Sequence, residues 1–248
     1  MRVTTIQAPF LASLYELVRS LNCHTTVMLA QSQFRHGATH NQVVAPSIAP
    51  SPISIPVQKN SRAYIGDTLP VDVEKWFRKF AKQATQAYKK SPNWDKVERF
   101  LTMLEHTAKS TAGAQPSLAF LNTSMTLYLY LAFELDELFP EWTLVPDSVV
   151  CHPRPKDPSA YVAACALATD AMEYVGGKSA MDAYLDVSLF EDIQIFYQDY
   201  TVPEELVQYL PKGSDARYSA LEFLAWIPSE HYPTLLRDVT HVYTKAEV

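Results

Sequence analysis

The sequence predicts a mainly α fold with a minor β component (α+β), built on a helical core with a long Pro-rich extended arm near residues 38–70. Three observations carry that expectation. Apolar residues recur at helical spacing through most of the chain beyond residue 72, and strand-like runs are few and short. Between them, Pro46, Pro50, Pro52 and Pro56 interrupt a stretch with no helical period.

Taken in order, Pro9 opens a helix over 9–21, with Phe10, Leu11, Leu14, Leu17, Val18 and Leu21 on one face. Thr25 to Leu29 is β-branched and apolar and predicts a short strand. Within the arm, Ile53, Ile55 and Val57 alternate with polar or Pro positions, which allows an edge strand. Asp72 is placed to cap a helix running to about Lys90, and Ser91-Pro92 to open another that carries Trp94, Val97, Leu101 and Leu104 and has Gly113 near its end. Residues 118–138 read as the most apolar helix. Asp157-Pro158 starts a helix over 158–175, which Gly176-Gly177 stops. Ile193 to Val202 is the best strand candidate, followed by short helices near 203–210, 215–226 and 230–242.

An apolar share of 48% with 19% charged residues excludes wholesale disorder. Three scattered cysteines, Cys23, Cys151 and Cys165, make no disulfide framework and fit a reducing interior. Glu16 and Arg19 interrupt any secretory apolar core, and the longest uncharged stretch, Leu118 to Phe133, is polar-studded and short for a membrane span. The expectation is a soluble, cytoplasmic protein.

Charge is divided along the chain. Residues 1–118, a basic N-terminal region, carry a net +7, and residues 119–248, an acidic and mainly helical region, carry −13. The two regions could still form one continuous domain. Such polarity points to an anionic partner for the basic end, or to attraction between the ends.

The cations concentrate on one predicted helix. At about 100° per residue, Lys75, Arg78, Lys79, Lys82, Lys89 and Lys90 fall within about 60° of one line, with Trp76, Phe77, Phe80 and Ala84 opposite. No carboxylate lies between Lys75 and Trp94, so the strip lacks the i,i+4 counter-charges that usually lace a surface helix. Lys59, Arg62 and Tyr64 add a basic-aromatic group on the arm, suited to gripping a flexible strand and stacking a base. Lysine outnumbers arginine in the strip, which fits sequence-tolerant contacts better than bidentate base readout.

Catalytic and metal signatures fail on inspection. Gly176-Gly177-Lys178-Ser179 resembles the end of a phosphate-binding loop, but Met172 stands where its first glycine belongs and the preceding residues read as helix. His36 and His40 sit at i,i+4 without a third ligand, and Asp182 and Asp186 lack a cation-loop pattern. Cys23-His24 and Cys151-His152 are adjacent pairs whose side chains diverge in a strand. No catalytic residue, metal site or cofactor is assigned. Asp182, Asp186, Glu191, Asp192, Asp199, Glu204 and Glu205 form a cation-free acidic run that could meet a neighbouring copy's basic strip, giving a salt-sensitive homo-oligomer. The sequence thus points to a non-enzymatic protein that binds RNA, most plausibly single-stranded, or another polyanion, with no membrane partner. The alternative is an adaptor whose polarity serves protein assembly only.

Overall fold

The structure, a computed structural model, describes residues 1–58, 63–111 and 114–242. The first elements are β1 (Arg2–Gln7), α1 (Leu14–Leu21), β2 (Thr25–Leu29), β3 (Gln42–Val43) and β4 (Ile53–Ser54). Three long helices follow: α2 (Val73–Tyr88), α3 (Trp94–Ser110) and α4 (Leu118–Ala132). The second half alternates: β5 (Thr143–Pro146), α5 (Asp147–Val150), α6 (Pro158–Leu167), β6 (Glu173–Gly177), α7 (Lys178–Ala183) and β7 (Gln194–Gln198). The chain then forms α8 (Ala220–Trp226), α9 (Tyr232–Leu235) and β8 (Thr240–Val242).

Six strands form one sheet in the order β5-β2-β1-β6-β7-β8, parallel throughout except for β8. Helices cover both faces. On one, α1, α2, α3, α4, α8 and α9 enclose a core that includes Ile6, Leu17, Met28, Phe80, Phe100, Leu129 and Phe223. On the other, a smaller core joins Val3, Val27 and Leu29 to Tyr161, Cys165, Met181 and Phe190. This is an α/β fold with a central, largely parallel sheet, and the expectation of a mainly α fold with minor β is overturned. The reason is physical: strands between two helical layers are buried on both faces, so they lose the alternation that marks a half-buried strand. All five residues of β2 are buried, for example.

The extended arm is corrected too. β3 and β4 pair as a small antiparallel hairpin, and Val43, Ile55 and Ile65 reach the larger core, so the Pro-rich stretch packs against the body. The segment 158–175 splits into α6 and β6, and 230–242 contains α9 and β8. Gly176-Gly177 therefore ends a strand and leads into α7, with Gly177 at its N-cap, and does not stop a helix. Gly113 lies outside the described residues.

Local chemistry explains the helix starts. The Ser13 hydroxyl accepts from the Glu16 N–H at 3.2 Å, and the Glu16 carboxylate accepts the Ser13 N–H at 3.0 Å, closing a capping box on α1. Ser117 and Asp157 cap α4 and α6 with a single bond each, accepting the Phe120 and Ala160 N–H groups. Asp72 does not follow this pattern: it precedes α2 with φ 48° and makes no side-chain cap bond.

Candidate functional site

In open α/β sheets, ligands meet the protein where parallel strands end, classically at the point where strand order reverses. Here that reversal lies between β1 and β6, and the protein fills it. A side chain on Gly177 would collide with the guanidinium of Arg19, and one on Gly176 with Met181. The Gly-Gly-Lys-Ser segment does run from strand to helix, yet its glycines give room to these side chains, and α7 is only six residues long.

Unfilled chemistry lies at the carboxyl ends of β2 and β5. Beyond β2, residues 30–34 run beside 63–66: the Gly66 N–H donates to Ala30 O at 2.7 Å, Ile65 to Ser32 at 2.9 Å and, in return, Phe34 to Ala63 at 2.9 Å. That pairing sets Tyr64 on the rim, 41% exposed. Beyond β5, Asp147 begins α5 and is wholly buried. Its Oδ2 accepts the Gln31 N–H at 2.8 Å and the Tyr161 hydroxyl, while its Oδ1 has no partner among the described residues. Burial, reinforced by the Asp147 carboxylate, pushes the Tyr161 phenol up, so it stays protonated and donates.

Arg154 completes the group. Its guanidinium lies 4.7 Å from the Tyr161 ring centre and 5.3 Å from that of Tyr64, within cation–π range. The side chain is partly buried, its Nε is shut away from solvent without an acceptor, and no carboxylate pairs with it among the described residues. Nearby, burial and then Cys151 push the Cys165 thiol up, so it is no ready nucleophile. Cys23, pushed up to about 12 by burial, is equally inert.

A separate cleft of about 170 Å³ lies by the start of α1, lined by Phe10, Ser13, Glu16, Thr39 and Arg217 among others. Its charged groups are already engaged, Glu16 with Ser13 and Arg217 with Asp215. Arg154 and Asp147, unlike the charged groups of this cleft, keep buried atoms without a partner among the described residues.

The cationic strip is where the wheel put it. Lys75, Arg78, Lys79 and Lys82 are exposed on α2, and Lys89 and Lys90 are exposed just beyond its end. Phe77, Phe80, Ala84 and Tyr88 face the core. Arg78 pairs with Glu74 at 2.9 Å, and the other five cations have no ion pair among the described residues. Lys59 and Arg62 lie outside the described residues. Tyr64 is placed against Arg154, a contact no sequence spacing announces. The seven acids from Asp182 to Glu205 are all exposed. Among the described residues no group of three His, Cys, Asp or Glu side chains could hold a metal ion. None of their helices is long and apolar enough to cross a membrane.

Sequence reasoning missed Gln31, Asp147, Arg154 and Tyr161; the last three share one segment, with Asp147 and Tyr161 14 positions apart, whereas Gln31 is 116 positions from Asp147. The available signal was the run Thr143 to Pro146, with β-branched Thr143 and Val145, leading into an aspartate and read as a strand delivering a carboxylate to the sheet's edge.

No curated protein and no solved structure matches the chain. Residues 14–231 match the profile of the WbqC-like protein family, and the chain belongs to that family.

Proposed function

We propose that the chain binds a small polar ligand at the carboxyl ends of β2 and β5, against Tyr64, Arg154 and the Tyr161–Asp147 pair. One observation carries the reading: a wholly buried carboxylate with an unsatisfied oxygen stands one tyrosine away from a guanidinium that has no acceptor. Unsatisfied buried polar atoms are costly and rare in native proteins, and they mark places completed by water, ions or ligands. The fold class supports the location, since strand ends are where such sheets take ligands. No bond-making step is assigned; the role is binding. Fragment soaking into crystals is the test: fragments should seat against the Arg154 guanidinium beside Tyr64 and Tyr161, and a screen whose fragments bind only elsewhere would remove the proposal.

A second reading rests on a different surface. Lys75, Arg78, Lys79, Lys82, Lys89 and Lys90 form an exposed ridge on which, among the described residues, only Arg78 has a counter-charge. Single-stranded RNA is the polyanion it fits, because the ridge offers charge without a major-groove reader. If all six cations met phosphates, the log–log salt dependence of binding would have a slope near −4, about −0.7 per contact. Gel shifts across several salt concentrations measure it, and absence of binding at low salt eliminates the reading. The exposed acids could instead receive the ridge of a second copy, which light scattering at low salt would detect as growing particles.

A further inference from the structure

We propose that the ligand of this strand-end site carries an oxyanion, a carboxylate or a phosphate, and that Arg154 is the residue that clasps it. The inference rests on the small-ligand reading above and names the chemistry of that ligand.

Arg154 differs from the other arginines. Arg2 pairs with Glu173 and Asp238, Arg78 with Glu74, Arg99 with Glu134 and Arg217 with Asp215, while Arg35 and Arg237 are exposed to water. Only Arg19 and Arg154 keep a buried Nε without a partner among the described residues. Arg19 fills the space over Gly177, beside the Tyr15 ring at 5.9 Å. Arg154 is held by ring contacts alone among the described residues. It is flanked by two rings that favour a cation but accept no in-plane hydrogen bond from it.

A guanidinium has five donors, no acceptor and a permanent charge, so what it lacks is a planar or tetrahedral oxyanion able to take two N–H bonds at once. Asp147 does not supply it: its Oδ2 takes the Gln31 N–H and the Tyr161 hydroxyl, its Oδ1 has no partner, and it forms no ion pair with Arg154 among the described residues. Tyr161 thus does two things. It holds the Asp147 carboxylate with its hydroxyl and supports Arg154 with its ring, leaving the guanidinium for an anion from outside. A neutral ligand would desolvate the cation without replacing its counter-charge, at a cost.

The experiment uses the full chain labelled with nitrogen-15. The Arg154 Nε–H resonance, identified by its loss in Arg154→Lys, is followed during titration with inorganic phosphate, with acetate and with chloride at matched ionic strength. A saturable shift with phosphate alone assigns a phosphate-bearing ligand, with acetate alone a carboxylate, and with both an oxyanion of either kind. Each supports the proposal when calorimetry shows the affinity at least about tenfold weaker in Arg154→Gln, the loss of one charge-assisted contact. Lys79→Glu/Lys82→Glu, remote from this site, should bind as the parent does. No saturable shift with either anion, or equal affinity in Arg154→Gln, overturns it. If fragments still seat beside Tyr64 and Tyr161 in that case, the ligand site stands and only its anionic character is lost; if none do, both fall.

Discussion

The guanidinium of Arg154 rests 4.7 Å from the centre of the Tyr161 ring, while that same tyrosine's hydroxyl donates to Asp147. Tyr161→Phe separates the two contacts, keeping the ring and deleting the donor. Asp147 then remains wholly buried with one bond fewer, and the folded state should lose about 1–3 kcal/mol. In an Asp147→Asn background the same change should cost clearly less, because the charge that needed the donor is gone. Urea unfolding of the four proteins measures both. Additive costs would show that the hydroxyl and the carboxylate are not coupled.

Gly177 makes a second pair testable. Its φ of −77° and ψ of 138° suit any residue, so Gly177→Ala is penalised only by collision with the Arg19 guanidinium. The variant should be destabilised by about 1–3 kcal/mol, the range for overpacking. Arg19→Ala should largely relieve that penalty. Equal destabilisation in both backgrounds would place the strain elsewhere.

The α1 capping box predicts that Ser13→Ala lowers stability by about 0.5–2 kcal/mol. Ser13→Asp keeps an acceptor at the cap and should lose less. Thermal melts of the two variants decide, and identical melts would show the box to be idle.

His40 gives the pH dependence. It is wholly buried, it packs on Phe34 at 4.9 Å, and its Nε2 meets the Arg35 backbone. Burial lowers its proton affinity, outweighing the Arg35 carbonyl that would raise it. Above about pH 6.5 the imidazole is neutral folded or unfolded and adds no slope. As pH falls through that value the unfolded chain takes up the proton first, so stability drops until the folded group titrates as well. His40→Gln should flatten the decline in urea midpoint between about pH 7.5 and 5.5. An unchanged decline would assign it to other groups.

Much of the helical layer was legible. The 3.6-residue period of α2 and α3 survives because one face of each meets the core and the other meets water, whereas α4 was legible as an uncharged apolar stretch, with Phe120, Leu127 and Leu131 exposed on its outer side. β2 was found at its true bounds because five β-branched or apolar residues stand together. β1, β5, β6 and β8 were not, since none shows a clear two-residue alternation and β5 and β8 have only four and three residues. In β6 the glycine pair also mimics a helix stop. The ridge was legible as local periodicity. The strand-end group was not: Asp147, Arg154 and Tyr161 share one segment, but only the fold brings Gln31 and Tyr64 to them.

That strand order also bears on how the chain is made. β1 is made before the other strands of its sheet and lies inside it, yet the Glu173 that grips Arg2 is synthesised 171 positions later. One flank of β1 must stay without its neighbour while those positions are added, a long-range closure of the kind that slows folding and exposes sticky backbone. Helices that form from local contacts in the meantime would shelter that flank, and stalled chains lacking β6 should be the species that chaperones hold.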